Sequence, residues 1–214
     1  FQAQHTLVDG VLGPQRDWLG KPLRVDGDLG ERTRWALAMA SLDPRRQAIV
    51  RRACSKIGQA ETPGVANRGP WPDFVLRRCG IFVPDDPLVP MPDNAWCGGH
   101  ASWCVSVDGL PARKEAGARK LAGLLRPTRV ALPGDLGWFP TGPWQAHIFP
   151  IVGVGPGEVA GAEGNHGNRC ELVRRSLADI EVVSAFPEEP FLPELVARVP
   201  PGLTLVPVHS AGTR

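Results

Sequence analysis

The sequence lacks three features that would assign it to a membrane, to nucleic acid or to a secretory route. No apolar run approaches the roughly 20 residues of a membrane-spanning helix. Basic residues form no long block, and 22 acidic residues against 24 basic ones leave a net charge of +2, which does not favour a nucleic-acid binder. Residues 1–5 lack the charged and apolar parts of a signal peptide, and no Met precedes them, so localisation stays open.

The composition predicts one folded domain with some additional chain. Its 214 residues, 43% of them apolar, suffice for a core that needs no disulfides. Gly (25) and Pro (23) are numerous enough to predict many turns. Five cysteines are an odd number, so at least one should be an unbridged and reactive thiol.

The chain divides into three parts. Residues 1–43 contain two similar segments, 8–13 and 25–30, which we interpret as two turns of one small unit followed by a helix from Glu31. Residues 44–185 form the main domain. Residues 186–214 are a proline-rich extension, in which 203–208 is a possible edge strand.

Within the main domain, helices precede strands. Asp43 and Pro44 are a capping residue and a first helical residue, and Gly58 ends the helix that they begin. The pattern predicts further helices over 74–79, 95–107 and 113–125, an extended connection over 84–92, and strands over 135–139, 147–154 and 158–163. This segregation is typical of an α+β fold.

A cysteine and a histidine are the candidate reactive pair. Cys97 falls in the first turn of the third predicted helix, where free N–H groups and the helix dipole stabilise a thiolate. His147 opens a strand and could act as its base, while Glu163 and Asn165 close the next strand and could orient the imidazole. The alternatives are a buried apolar cysteine and a half-buried structural histidine. Pro150 favours an edge position or a bulge for the histidine strand.

Four segments resemble the papain-like cysteine hydrolases of the CHAP and NlpC/P60 type, which act on bacterial cell walls. Residues 95–104 (AWCGGHASWC) resemble the nucleophile motif, 133–139 (PGDLGWF) a proline-glycine-aspartate strand, 146–153 (AHIFPIVG) the histidine strand, and 162–165 (AEGN) the orienter segment. The combined match covers about residues 45–180. His100, Ala146 and Pro150 depart from the family pattern.

The resemblance implies a papain-like fold in which N-terminal helices pack on a small antiparallel sheet. It implies a peptidoglycan hydrolase, an amidase or endopeptidase cleaving stem-peptide or cross-bridge amides at the cell wall without metal or cofactor. Cys97 would be the nucleophile, His147 the base and then the acid, and Glu163 or Asn165 the orienter. Further residues are assigned to substrate binding: Trp96, Trp144 and His166.

Residues 25–33 resemble the start of a peptidoglycan-binding module, although about forty residues are fewer than that module usually has. The segment 1–43 is therefore either a shortened wall-binding unit or a helical cap on the enzyme.

Two other interpretations compete with catalysis. The spacings of Cys97 with His100 and of His166 with Cys170 suit a structural zinc site of two thiolates and two imidazoles. The second alternative is a wall-binding protein that keeps the fold without activity.

Overall fold

The computed structural model describes residues 5–8, 11–14, 42–93 and 95–186. In the first part of the chain it describes an antiparallel pair of strands, β1 (His5–Val8) and β2 (Val11–Pro14). The expected helical segment over 1–43 therefore contains β-structure in its described part. The helix predicted from Glu31 and the strand predicted over 203–208 lie outside the described residues.

Residues 42–186 form a domain of helices followed by strands. Its helices are α1 (Pro44–Cys54), α2 (Pro70–Arg78), α3 (Cys97–Val105) and α4 (Ala118–Gly123). Its strands are β3 (Arg126–Pro127), β4 (Leu136–Pro140), β5 (Ala146–Gly155), β6 (Glu158–His166), β7 (Arg169–Ser176) and β8 (Glu181–Ser184). A 3₁₀ turn, Leu177–Asp179, precedes β8.

The strands form one six-stranded antiparallel sheet in the order β3-β8-β4-β5-β6-β7. The predicted α+β class is confirmed. One face of the sheet shares a core with α1, α3 and α4, and the strand side chains in it include Leu136, Ile148, Val152 and Ala162. A cluster around Phe149, built from strands and the 3₁₀ turn, covers the other face.

Helix α1 begins where the sequence predicted. The Asp43 carboxylate accepts a hydrogen bond from the Arg45 N–H at 2.8 Å, and Pro44 occupies the first helical position. Arg46, fully buried, donates to Asp135 Oδ1 at 3.0 Å, and Asp135 Oδ2 accepts from the Leu132 N–H at 2.9 Å. This ion pair joins α1 to the turn that leads into β4.

Helix α3 lies in the centre of the domain and is buried along almost its whole length. It begins at Cys97 and ends at Val105, inside the predicted 95–107, and its N-cap residue is Trp96. Gly98 allows a close approach at its start, because an added Cβ would lie 2.1 Å from the carbonyl oxygen of Ala116. The segment before α4 therefore presses directly on the first turn of α3.

The predictions for the following segments were partly wrong. The expected helix over 113–125 is confined to α4, and β7 and β8 were not predicted. The expectation of an edge position or a bulge at Pro150 is met by a bulge: β5 is an inner strand, Pro150 pairs with Leu136 of β4, and the pairing of β5 with β6 begins only at Ile151. The sheet accommodates Pro150 next to a register shift between Ile151 and Gly153.

Two further properties bear on function. All five cysteines lie within the described residues and none forms a disulfide. None of the helices in the described part of the chain is both long and apolar enough to cross a bilayer.

Candidate active site

Cys97 is the first residue of α3 and its side chain faces the beginning of β5. The residue is 4% exposed, and its Sγ lies 3.9 Å from the carbonyl oxygen of Ala146. Trp96, at the N-cap position, cannot accept a hydrogen bond from the first turn, since an indole has only a donor. No side chain caps the first turn of α3, so its N–H groups and the positive end of the helix dipole lie next to Cys97, the first helical residue.

His147 follows Ala146 in β5 and meets Cys97 from the sheet. Its ring stacks on Phe149 at a centroid distance of 6.1 Å and lies 5.5 Å from the ring of Phe139 on β4. Burial lowers the pKa of His147, but its contacts with Cys97 and then with Glu163 raise it, to about 9. The imidazole is therefore a cation at neutral pH.

Glu163 on β6 provides the negative charge beside His147. Its Oε2 lies 2.9 Å from His147 Nε2, and its side chain is completely buried. The contact is bent, because Nε2 meets no well-aligned hydrogen-bond acceptor among the described residues. Attraction between opposite charges, rather than an aligned hydrogen bond, is what joins the two groups.

Arg175 on β7 contacts Glu163 from the other side. Its Nε donates to Oε1 at 2.7 Å and its Nη2 donates to Oε2 at 2.8 Å, a two-pronged arrangement. Burial raises the pKa of Glu163, but Arg175 and then His147 lower it by more, so Glu163 is a carboxylate. We call these four side chains, Cys97, His147, Glu163 and Arg175, the polar row.

Gly137 and Gly161 leave room for the ring of Phe149 beside His147. The ring of Phe149 lies flat against the strands on either side of it, because a Cβ on Gly137 or Gly161 would come within 2.5 Å or 2.3 Å of that ring. Alternation along β5 and β6 places His147 and Glu163 on the face of Phe149, and Cys97 meets His147 at the beginning of β5, a part of the strand that does not pair with β6.

The structure separates the two candidate orienters. Glu163 contacts His147, whereas Asn165 adopts a left-handed conformation, with φ of 63°, where the β6–β7 register shifts. The Asn165 amide donates instead to Asn67 Oδ1 at 3.4 Å. The structure therefore does not bring Asn165 to His147, because the backbone bend turns its side chain towards another loop.

The three predicted substrate-binding residues have different surroundings. Trp96 is fully buried and its indole N–H donates to Glu61 Oε1 at 2.8 Å, so it belongs to the core and cannot line a groove. His166 is half-buried, and its Nδ1 lies 2.8 Å from Glu171 Oε2. Trp144, in the β4–β5 loop, is 91% exposed and thus open to a ligand.

His100, one turn after Cys97, is a packing residue. It is fully buried, with its Nε2 3.3 Å from the carbonyl oxygen of Ala162, and it lies directly against Gly164. Burial lowers its pKa from 6.5 to about 4, so the ring is neutral. His100 thus fixes the distance between α3 and β6, the elements that carry Cys97 and Glu163.

The alternative zinc set does not assemble. No group of three or more His, Cys, Asp or Glu side chains within the described ranges is arranged to hold a metal ion. Cys97 lies beside His147, His100 beside Ala162, and His166 beside Glu171. Within the described residues, the structure thus does not bring Cys97, His100, His166 and Cys170 together as a ligand set.

Sequence reasoning did not find Arg175. Strand β7 alternates charged side chains on both faces, including Glu171, Arg174 and Arg175, so apolar periodicity did not reveal it. The available signal was electrostatic, since a buried carboxylate such as Glu163 needs a cation, and the Arg174-Arg175 pair follows it in the sequence.

The residue geometry defines a site of the thiol–imidazole–carboxylate class, set between a helix start and a sheet. Comparison of the chain with protein-family models, curated proteins and solved structures finds no match.

Proposed function

We propose that this protein is a papain-like cysteine hydrolase that cleaves amide bonds of bacterial peptidoglycan. The observation that supports hydrolysis is the contact sequence from Cys97 to His147 to Glu163 at the start of a buried helix. The choice of peptidoglycan is supported by the motif resemblance over residues 95–104, 133–139, 146–153 and 162–165.

In the first half of the reaction, the Cys97 sulfur attacks the carbonyl carbon of the amide as a thiolate paired with the His147 imidazolium. The oxygen gains negative charge, which N–H groups at the start of α3 stabilise. The C–N bond breaks, His147 gives its proton to the leaving amine, and an acyl group remains on Cys97 as a thioester.

In the second half, neutral His147 takes a proton from a water molecule that attacks the thioester carbonyl. The C–S bond then breaks, the carboxylic acid product leaves, and the thiolate and imidazolium are restored. Glu163 remains a carboxylate throughout and stabilises each imidazolium stage by its charge.

Trp144 is the best placed aromatic side chain for holding substrate. It precedes His147 by three residues and is almost completely exposed. The Arg119 guanidinium donates to the carbonyl oxygens of Gly142 and Gln145, each at 3.4 Å, and thereby ties the loop to α4. An indole on a tethered loop offers a flat apolar surface to a sugar ring or a stem peptide.

The test is hydrolysis of purified murein sacculi by the full chain and by Cys97→Ala. We expect the wild type to release soluble muropeptides and the variant to release none, because the nucleophile is absent. Cys54→Ala is the matched control, since Cys54 lies at the end of α1 and should leave activity unchanged.

Mass spectrometry of the products identifies the bond. A new N-terminal amine within the stem or cross-bridge indicates an endopeptidase, and a free lactyl carboxylate on the sugar indicates an amidase. Binding of wild-type protein to sacculi without any released fragment would support the inactive wall-binding alternative and contradict the proposal. Activity of Cys97→Ala equal to that of the wild type would contradict the proposed mechanism.

A further inference from the structure

The polar row has a member that the proposed chemistry does not use. The side chain of Arg175 contacts Glu163 and the ring of Phe139, whose centre lies 4.6 Å from the guanidinium carbon, and none of the described contacts joins it to Cys97. Its side chain is 25% exposed, so it forms the outer end of a row whose inner members are buried.

We propose that Arg175 is a positioning residue, which fixes Glu163 as an oriented carboxylate and through it keeps His147 charged and facing Cys97. This inference rests on the proposed function and extends it to a residue outside the reacting set.

The first argument is geometric. The guanidinium binds both carboxylate oxygens, so the plane of Glu163 is determined by Arg175. Glu163 Oε2 is shared between Arg175 Nη2 and His147 Nε2, and a rotation of the carboxylate would break both contacts together. Phe139 packs on both the guanidinium and the imidazole, which limits their motion on that side.

The second argument concerns charge. A buried carboxylate and imidazole can either carry opposite charges or share one proton as a neutral pair. Arg175 contacts the carboxylate and lies farther from the ring, so its positive charge favours the arrangement in which Glu163 is negative and His147 positive. Because the Glu163–His147 contact is bent, this charge matters more than hydrogen-bond direction.

The other charged groups around the row do not replace Arg175. Two side chains of α3 face His147. A positively charged imidazole stabilises the negatively charged form of Cys97, and burial keeps His100 neutral. From the 3₁₀ turn, Asp179 acts on Arg175 itself. Among the described groups, Arg175 and His147 are therefore the two cations that act on Glu163.

The experiment measures the reactivity of Cys97 rather than hydrolysis. The full chain is treated with iodoacetamide at a series of pH values, and alkylation of the Cys97 peptide is followed by mass spectrometry. Burial raises the pKa of Cys170 to about 12 and that of Cys104 well above its ordinary value, so those thiols react slowly. We expect a high-pH inflection near pH 9 in the wild type, where His147 loses its proton.

Without Arg175 the Glu163 carboxylate is free to rotate away from His147, and the imidazolium loses the partner that stabilises it. Arg175→Met should therefore lower that inflection by about one pH unit and slow Cys97 alkylation at pH 6 several-fold. Arg175→Lys, which keeps the charge and loses the two-pronged contact, should give a smaller shift in the same direction. Arg174→Met is the matched control, because Arg174 is the preceding residue of β7, points to the other face and pairs with Glu158 at 3.3 Å. Its profile should coincide with that of the wild type.

An Arg175→Met profile identical to the wild type, or an equal shift in Arg174→Met, would overturn the proposal. If Arg175→Met fails to fold, as thermal unfolding would reveal, Arg175→Lys decides: a lowered inflection supports the proposal and an unchanged one contradicts it. Alkylation needs no peptidoglycan. Failure to digest sacculi with an intact alkylation profile would therefore refute the proposed function and not the role of Arg175.

Discussion

Two histidines on facing elements differ in charge, and the difference shows how neighbouring groups set the charge of an imidazole that is largely shielded from solvent. His100 on α3 is surrounded by the rings of Trp71 and Trp96, and burial lowers its pKa to about 4. His147 on β5 is nearly as buried, yet its pKa rises to about 9 because Glu163 and Cys97 contact it. Burial alone removes the charge of a histidine, and only a partner of opposite charge reverses that effect.

The largest expected effect comes from removing the partner that distinguishes the two histidines. Glu163→Gln keeps the shape and loses the charge, so the pKa of His147 should fall and hydrolysis of sacculi should decrease by about 10³-fold. Initial rates of muropeptide release measure this loss. Glu158→Gln, on the same strand with its Arg174 partner, is the matched control and should retain wild-type rates. An active Glu163→Gln enzyme would show that the carboxylate is merely structural.

The two histidines should also give stability opposite pH dependences. His100 binds a proton more weakly in the folded protein than in the unfolded chain, so acidification from pH 6.5 towards 4 should cost on the order of 3 kcal/mol. His147 binds its proton more tightly when folded. Its contribution, of similar size, is complete below pH 6.5 and is lost as the pH rises through 9.

Urea unfolding of the wild type, His100→Gln and His147→Gln at several pH values checks both signs. On acidification, the free energy of unfolding of His100→Gln should decrease less than that of the wild type. Between pH 7 and 9.5, the free energy of unfolding of His147→Gln should decrease less than that of the wild type. Parallel plots of unfolding free energy against pH for all three proteins would contradict the opposite pH dependences expected of the two histidines.

The smallest expected effect tests the packing role of His100. Gly164→Ala would place a Cβ 2.7 Å from the Cβ and Cγ of His100, which should cost about 2 kcal/mol of unfolding free energy as α3 and β6 move apart. Gly123→Ala, at the end of α4 with open space around it, should be neutral or slightly stabilising. Urea midpoints of the two variants measure the difference, and equal midpoints would show that His100 adapts freely.

Local signals predicted the site better than they predicted the sheet. Asp43 and Pro44 predict the start of α1 because capping depends on neighbouring residues alone. Cys97, His147 and Glu163 were each placed on the correct kind of element, and the fold brings them together.

What failed depended on contacts between distant residues. Trp96 was assigned to substrate binding, but a hydrogen bond from its indole N–H to Glu61 holds it in the core. Asn165 lies two residues from Glu163, yet a local bend directs it to Asn67. Strand β7 has no apolar alternation of its own, so its pairing with β6, and with it Arg175, was invisible in the sequence.

The buried Arg46 determines how short a working fragment can be. Its guanidinium binds Asp135 at 3.0 Å and lies 4.3 Å from the ring centre of Phe186. The first helix of the domain is thus in direct contact with its last described residue. A fragment starting after α1 would remove the ion-pair partner of the fully buried Asp135, and one stopping before Phe186 would expose the guanidinium of Arg46 to solvent. Truncation should therefore preserve everything from Asp43 to Phe186.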